Sequence, residues 1–420
     1  MTRLSIVSDA AVSFKRDALA FDRYLEPLVA ILSDKSVETP FTIGIFGTWG
    51  SGKSSLLKML DEKLEEEHAE DFIRVHFNPW VYRGEDNMLV PLLHTLHDTL
   101  DEDPMKRFKS SVDKLANVLL RLGADLFLKT VTAHAVSVEE LEKLEVAYLK
   151  ERGQVKSEIR KLRETLRQEA NAIAKNGAKI VFFIDDLDRC EPDEIIDLLE
   201  SIKLFLDLQN IFVILAVDKE LIDRGIEVKY AKFELSRSRK LALGAEYLEK
   251  MVQLPLQLYP LRVTQVRRFI ENFGTLDAIT NHLDLLQTVM VPNPRKIKRV
   301  LNILAVSSDI IKRTSGLTQL NPDLLARLAV LQVQAGDLYA EIAKLPELLI
   351  ALEGLNATPP EFDIDEPGSF TRFGAHRDTI IELCRQYHRP SSFLGPLFSG
   401  AKFSQVNSED LPLYLSMLGV

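Results

Sequence analysis

The sequence predicts an α/β fold in which a parallel β-sheet is sandwiched by helices. Strand-like and helix-like apolar patterns alternate along the first quarter of the chain. Two later runs, "KIVFFID" and "NIFVILAVD", are continuously apolar, as is typical of strands buried on both faces of a parallel sheet. A glycine-rich turn, "GTWGSG", joins the first predicted strand to a helix.

The elements before the first long insertion follow the order of a parallel α/β sheet. Residues 14–33 have apolar positions at helical spacing and lead to a predicted strand at 41–46. A helix is expected near 53–67, then a short strand within "FIRVHFNPW", and a further helix from about 87 to 101.

The strand pattern disappears between residues 104 and 177, where Glu, Lys, Arg and Leu dominate. One helical stripe of this segment carries the apolar residues Val155, Ile159, Leu162, Leu166 and Ile173, with charges elsewhere. We therefore expect a charged helical insertion, either a hairpin or a short coiled coil. It is either a solvated helix packed on its own domain or an arm that binds a partner.

The strand pattern returns after the insertion, so the sheet is expected to span it. A helix end followed by a last short strand is predicted in "YLEKMVQLPLQL", and the chain beyond is mostly helical. A segment rich in Pro, Gly and Asp follows at 354–374. The predicted organisation is a core of residues 1–103 and 178–260, a helical insertion at 104–177, a helical lid at 261–350 and a small C-terminal region at 351–420.

Composition limits the classes of partner. The 420 residues carry a net charge of −10, which argues against a general surface for nucleic acid, although a local basic patch leaves such binding open. The two cysteines, Cys190 and Cys384, predict neither a disulfide nor a zinc site. The first residues do not resemble a signal peptide, and no run is apolar enough for a transmembrane segment. A cytoplasmic protein is expected.

The glycine-rich turn fits the phosphate-loop pattern G-x-x-x-x-G-K-[ST], with a strand before it and a helix after it. Its glycines let successive backbone N–H groups face phosphates, and the helix adds its positive end. Lys53 supplies a charge, and the Ser54 hydroxyl is expected to bind magnesium. The predicted nucleotide-binding residues of this loop are Gly47, Trp49, Gly50, Ser51, Gly52, Lys53, Ser54 and Ser55.

A second part of the predicted site lies in "VFFIDDLDR". Asp185 and Asp186 end an apolar strand, at the edge where parallel sheets bind ligands. We expect Asp185 to bind the magnesium ion and Asp186 to orient or deprotonate a water molecule. The alternative for the pair is a strand-end turn or a helix cap.

The sequence allows two interpretations for each of three further polar residues. Asp188 and Arg189 are either a structural ion pair or interface contact, or they sense the nucleotide. Asp218 ends the strand "IFVILAV", where it either reads the terminal phosphate or caps the following helix.

Five ordered motifs, "IGIFGTWGSGKSSLL", "FNPWVY", "FFIDDLDRCEP", "YLEKMVQLPL" and "NPRKIKRVLN", together resemble the KAP family of P-loop NTPases over roughly residues 14–310. The resemblance implies a P-loop NTPase fold of the ASCE division, related to AAA+ and STAND ATPases. Many members carry transmembrane helices between the phosphate loop and the acidic strand. This chain has a charged insertion there instead, which implies a soluble form.

The resemblance assigns roles only at matching positions. Lys53 and Ser54 match the nucleotide and metal ligands, and Asp185 and Asp186 match the acidic pair. Asn78, Pro79 and Trp80 match the signature after the second strand, whose chemistry the residue types do not reveal. Trp80 is expected to pack in the core, because a large aromatic mostly contributes buried area.

Two cations and one apolar pair complete the candidate site. Lys250 lies where AAA+ relatives place an arginine that reaches a neighbouring subunit's phosphate; the alternative is an ordinary surface lysine. Arg295, on one helix face with Arg299, either touches the terminal phosphate from the lid or forms a basic face for a partner or a phosphate backbone. Leu19 and Phe21 are candidates for an apolar slot for the base. The chain lacks a guanine-reading Asn-Lys-x-Asp element, which favours adenine.

The leading functional hypothesis is an ATP-hydrolysing, Mg²⁺-dependent switch or assembly ATPase that forms a homo-oligomer and acts on a separate effector protein. The resemblance alone implies a role in bacterial anti-phage defence. One alternative is a kinase, which lacks an obvious acceptor pocket here. Another is a non-hydrolysing ATP-bound scaffold that regulates a separate effector.

Overall fold

The computed structural model describes residues 6–84, 88–100, 102–122, 161, 164–168, 170–171, 178–205, 208–229, 246–273, 283–290, 292–314, 320–389, 393–407 and 410–418. The chain divides into two compact units. The sheet unit is Ala11–Tyr259, and the helical unit combines Met1–Ala10 with Pro260–Val420.

The sheet unit contains five parallel strands in the order β2-β3-β4-β1-β5. Their bounds are β1 Phe41–Phe46, β2 Phe72–Phe77, β3 Lys179–Ile184, β4 Ile211–Val217 and β5 Leu254–Gln257. All of β4 and all but the first residue of β3 are buried, as their unbroken apolar sequences predict. The predicted α/β fold with a parallel sheet is confirmed, and the carboxyl ends of β1, β3 and β4 meet at one edge.

Helices surround this sheet and follow most of the predicted segments. They are Asp22–Ser33, Lys53–His68, Leu89–Thr99, Glu102–Leu122, Pro192–Phe205 and Lys219–Lys229, with short 3₁₀ helices at Phe14–Arg16, Pro79–Tyr82 and Leu187–Arg189. The strand predicted within "FIRVHFNPW" ends at Phe77, because Asn78 caps the 3₁₀ helix that begins at Pro79.

The predicted insertion is described only in part. Its first helix, Glu102–Leu122, buries Phe108, Val112 and Leu115. Leu166, one member of the predicted apolar stripe, is also buried. The remaining stripe residues, Val155, Ile159, Leu162 and Ile173, lie outside the described residues.

The helical unit is built from short helices. They are Val263–Glu271, Leu283–Val289, Pro294–Arg313, Pro322–Gln334, Gly336–Lys344, Glu347–Leu355, Arg377–Tyr387, Leu394–Phe398 and Leu411–Ser416, with 3₁₀ helices at Pro367–His376 and Phe403–Gln405. The segments expected as a lid and as a separate C-terminal region belong to one compact unit. Buried Arg327 shows why: its guanidinium donates to the carbonyls of Leu397 and Ser399.

The start of the chain belongs to the helical unit rather than to the sheet unit. The side-chain amide of Asn302 accepts a hydrogen bond from Val7 N at 2.7 Å and donates one to Val7 O at 2.8 Å. The ammonium of Lys298, one helical turn earlier, donates to Ser8 O at 3.0 Å. Two residues of the "NPRKIKRVLN" motif thus hold the backbone of the first described residues.

Helices long and apolar enough to cross a bilayer are absent from the part of the chain that the structure describes.

Candidate functional site

The phosphate loop connects β1 to the helix Lys53–His68. Gly50 and Gly52 have φ angles of 83° and 104°, in the left-handed region that favours glycine. Gly52 caps the helix, and its carbonyl accepts the first helical hydrogen bond from Leu56 N at 3.0 Å. The backbone conformation of the loop therefore favours glycine at positions 50 and 52.

The inside of the loop has no room for an extra carbon atom. A Cβ placed on Gly47 would lie 2.5 Å from Ser51 Oγ. The Ser51 hydroxyl is buried and has no hydrogen-bond partner among the described residues. A buried hydroxyl without a partner is unusual, and a ligand oxygen in the loop would satisfy it.

Lys53 is buried and lies at the centre of the site. Its Nζ is 2.7 Å from Gly47 O, 3.4 Å from Thr48 O and 2.6 Å from Asp188 Oδ2. The side chains of Lys53 and Asp188 are only 7% and 13% exposed. The helix register places the lysine under the loop, so its charge faces the space that the loop encloses.

Asp185 begins the polar segment after β3 and lies beside Ser54. The carboxylate accepts hydrogen bonds from the Ser54 hydroxyl and from Asp186 N, the latter at 2.8 Å. Burial raises the pKa of the Asp185 carboxyl, while the Ser54 hydrogen bond and the Lys53 charge act in the opposite direction. A hydroxyl and a carboxylate thus meet next to the loop.

Asp186 is held by two partners on different oxygens. Its Oδ2 accepts a hydrogen bond from Asn78 Nδ2 at 2.8 Å, and its Oδ1 lies 2.9 Å from Arg189 Nε. Asp186 itself has a φ of 59°, which turns the chain sharply after β3. The second carboxylate of the predicted pair therefore points toward the end of β2.

The expectation that Trp80 packs in the core is wrong. Its side chain is 45% exposed, and the Arg189 guanidinium lies over its ring, 5.1 Å from the ring centre. Arg189 thus contacts an exposed aromatic ring on one side and the Asp186 carboxylate on the other. At this edge of the sheet the Trp80 ring contacts the Arg189 guanidinium at the surface instead of packing in the core.

Asp188 links the loop lysine to the end of β4. One carboxylate oxygen faces Lys53, and the other accepts a hydrogen bond from Asp218 N at 2.7 Å. The Asp218 side chain accepts from Glu220 N at 3.1 Å and so caps the helix Lys219–Lys229. The structure supports the cap interpretation of Asp218 and an ion pair for Asp188.

The residues ahead of β1 also contact the loop. A Cβ on Gly52 would lie 2.8 Å from the ring of Phe21 and 3.0 Å from Leu19, and both side chains are buried. The predicted apolar pair therefore packs on the end of the phosphate loop. Ser55 differs from the other loop residues, because its hydroxyl accepts a hydrogen bond from Val12 N at 3.3 Å.

The two remaining predicted cations lie on different elements. Lys250 is exposed on the helical turn before β5, and it forms no ion pair with a residue in the described ranges. Arg295 lies in the first turn of the helix Pro294–Arg313 in the helical unit, with its Nε 3.8 Å from Asp9 Oδ2. Trp49, in the loop itself, has an exposed side chain.

The residues present fit a nucleotide phosphate with magnesium. The loop offers backbone N–H groups at a helix start, the buried cation Lys53 and the unsatisfied hydroxyl of Ser51. Ser54 and Asp185 supply a hydroxyl and a carboxylate, the hard oxygen ligands that magnesium prefers. Phosphate oxygens would complete such a site, as is usual for this ion.

A parallel sheet in this order, with a phosphate loop after β1 and an acidic pair after β3, defines a P-loop NTPase. Residues 21–311, more than half of the chain, match the KAP family P-loop domain. The chain therefore belongs to the KAP family, as the five motifs indicate.

Relatives differ in how much of their length aligns. An uncharacterized protein of Methanocaldococcus jannaschii is 28% identical over 33% of this chain and 86% of its own length. The phage T7 exclusion protein of Escherichia coli K12 is 25% identical over 60% of this chain, but the match spans only 34% of that protein. The solved structure of the Aeropyrum pernix ORC1 protein in complex with DNA aligns with 96% of this chain and 84% of its own, at 14% identity and a TM-score of 0.36.

Two contacts of the site were not foreseen from the sequence. Asn78 belongs to a motif whose chemistry the residue types do not reveal, and its bond to Asp186 joins residues 108 positions apart. The Lys53 to Asp188 pair was also missed. The available signal was that polar residues directly after neighbouring parallel strands meet at one edge of the sheet.

Proposed function

We propose that this protein is an ATP-hydrolysing, Mg²⁺-dependent molecular switch. The observation that carries the proposal is the meeting of Lys53, Ser54 and the acidic pair at the carboxyl edge of β1 and β3. A cation, a hydroxyl and two carboxylates around a phosphate loop suit transfer of a phosphoryl group to water.

Each residue has a distinct role in this proposal. The loop backbone and Lys53 bind the phosphates and orient them. Ser54 and Asp185 hold magnesium, whose charge, when the ion is bound, offsets the negative charge of the phosphates. Asp186 orients the attacking water and accepts its proton.

The contacts of Asp186 support a switch rather than a continuously active hydrolase. Both of its oxygens have protein partners, Asn78 and Arg189. Each carboxylate oxygen can accept a second hydrogen bond, but a guanidinium at Oδ1 competes with the attacking water for that oxygen. Arg189 is therefore proposed to slow hydrolysis, which becomes faster when the guanidinium leaves Oδ1. The guanidinium lies in a partly exposed position where a partner can reach it.

Further parts of the proposal concern the base, the assembly and the biological process. Leu19 and Phe21 contact the loop and are proposed to contribute an apolar surface for the base, and ATP is our choice because the sequence has no guanine-reading element. Exposed Lys250 is proposed to act on the site of a neighbouring copy in a homo-oligomer. Similarity to the phage exclusion protein supports a role in defence, in which we propose that a separate effector protein acts.

The second candidate is a scaffold that binds ATP without hydrolysing it. The same contact favours it, since a guanidinium held permanently at Oδ1 would hinder Asp186 as a base for water. The two candidates predict the same nucleotide binding and differ in turnover.

The test is to measure phosphate release and molar mass by light scattering with ATP and magnesium. Wild type is compared with Lys53→Ala, Asp186→Asn and Lys250→Ala, and Lys203→Ala serves as a matched control for loss of an exposed lysine in the sheet unit. The switch requires turnover in wild type, loss of binding in Lys53→Ala, and binding without turnover in Asp186→Asn. Binding without turnover in wild type at high protein concentration would select the scaffold, and no binding at all would refute both.

A further inference from the structure

Each N–H donor of the Lys53 ammonium has an acceptor within the protein. A lysine ammonium carries three N–H donors. Oxygens of Gly47, Thr48 and Asp188 lie 2.7, 3.4 and 2.6 Å from Lys53 Nζ. The carboxylate is the nearest of the three and the only one that carries a full charge. A phosphate oxygen that approaches Nζ therefore meets Asp188 as its strongest competitor.

Asp188 is itself tied to a second element. Its other oxygen accepts a hydrogen bond from Asp218 N at 2.7 Å, directly after β4. Asp218 in turn caps the helix Lys219–Lys229 through Glu220 N at 3.1 Å. A continuous series of contacts therefore runs from the phosphate loop through Asp188 to the start of that helix.

We propose that Asp188 is a positioning residue that competes with the nucleotide phosphates for Lys53 and reports their arrival to the junction between β4 and the helix Lys219–Lys229. This inference rests on the proposed nucleotide binding. A phosphate bound at Lys53 brings negative charge close to the mostly buried Asp188 carboxylate, and like charges at such a distance repel. Asp188 then shifts away and its hydrogen bond from Asp218 N weakens.

The substitution Asp188→Asn separates the two parts of this role. An asparagine oxygen still accepts the hydrogen bond from Asp218 N, but the side chain no longer carries the charge that holds Lys53. We expect Asp188→Asn to bind MgATP about tenfold more tightly than wild type, the fold-change expected for loss of one charge-assisted competitor.

Asp193→Asn is the matched control. It makes the same change of charge five residues further along, at an exposed carboxylate that accepts a hydrogen bond from Glu194 N and does not contact Lys53. Its affinity for MgATP should equal that of wild type. An equal gain in both variants would mean that general charge, and not competition for Lys53, sets the affinity, and it would overturn the inference.

Hydrogen exchange gives a second test, in which the main comparison is wild-type protein with and without MgATP. A peptide spanning residues 216–221 should exchange faster at the Asp218 amide when MgATP is added. This region should not respond to MgATP in Asp188→Asn.

The outcomes distinguish the two proposals. If wild type binds MgATP but Asp188→Asn binds equally or more weakly, or the 216–221 peptide of wild type is unchanged by MgATP, the inference fails and nucleotide binding stands. If neither wild type nor Asp188→Asn binds MgATP, the proposed function fails together with the inference.

Discussion

Asn78, directly after β2, donates a 2.8 Å hydrogen bond from its side-chain amide to Oδ2 of Asp186, the second residue after β3. The neighbouring strands are parallel, so their ends lie side by side and the amide reaches the carboxylate without distortion of either strand. Asn78 also accepts a hydrogen bond from Trp80 N at 3.1 Å, which fixes the orientation of its side chain.

We predict that Asn78→Ala lowers kcat for ATP hydrolysis about tenfold and leaves the affinity for MgATP nearly unchanged. The substitution removes the group that orients Asp186 and touches none of the phosphate-loop contacts, and misplacement of a catalytic group by a fraction of an ångström has effects of this size. Steady-state kinetics with a separate binding titration would measure both quantities. A loss of affinity equal to the loss of kcat would contradict an orienting role.

Arg189→Ala is predicted to raise basal phosphate release by up to about fivefold. The guanidinium pairs with Asp186 Oδ1 in a partly exposed position, and such pairs contribute up to about 1 kcal/mol. Its removal leaves Asn78 in place and makes one carboxylate oxygen available to water.

Arg83→Ala is the control for this prediction, because Arg83 pairs with Glu191 nearby and does not touch Asp186. Phosphate release from this variant should equal that of wild type. If Arg189→Ala is slower than wild type, the arginine assists the reaction and the proposed restraint on Asp186 is incorrect.

Gly52→Ala is predicted to lower the free energy of unfolding by about 2 kcal/mol or more and to abolish nucleotide binding. The left-handed backbone costs an alanine about 1 kcal/mol, and its Cβ would also lie 2.8 Å from the Phe21 ring. Gly84→Ala separates the two effects, because Gly84 has a φ of 87° with open space around it. Urea denaturation should show the smaller loss in Gly84→Ala; equal losses would mean that Phe21 yields easily.

The two cysteines are predicted to react slowly with thiol reagents in the folded protein. Burial raises the pKa of the Cys190 thiol to about 11 and that of Cys384 to about 12. The thiolate is the reactive form, so at pH 8 the native protein should react at least about a hundredfold more slowly than the protein unfolded in guanidinium. Rapid modification of either thiol in the native protein would show that its surroundings open readily.

The sequence predicted the parts of the site that lie close together along the chain. The phosphate loop and the acidic pair each follow an apolar strand, and the motif spacing alone places Lys53, Ser54 and Asp185. Side-chain pairings across the sheet could not be predicted in this way. Which carboxylate pairs with Lys53 depends on the φ of 59° at Asp186, a turn that no propensity of aspartate alone predicts.

Trp80 and the C-terminal region also make contacts that could not be predicted from the sequence. Tryptophan tends to be buried, but Trp80 contacts Arg189 at the surface, and sequence spacing does not reveal this contact. Similarly, composition marked 354–374 as a boundary, whereas Arg327 and Tyr414 join segments on both sides of it, the latter by accepting a hydrogen bond from Asn321 N at 2.8 Å.

The two hydrogen bonds between the Asn302 side chain and the Val7 backbone determine which fragments of the protein contain a complete helical unit. Cleavage of the chain between Tyr259 and Pro260 would yield a C-terminal fragment without residues 6–10, although those residues complete its fold. The Asn302 amide would then lose both a donor and an acceptor. A synthetic peptide with the sequence of the first ten residues should therefore bind to this fragment and raise its melting temperature, as a detached piece of the same folded unit.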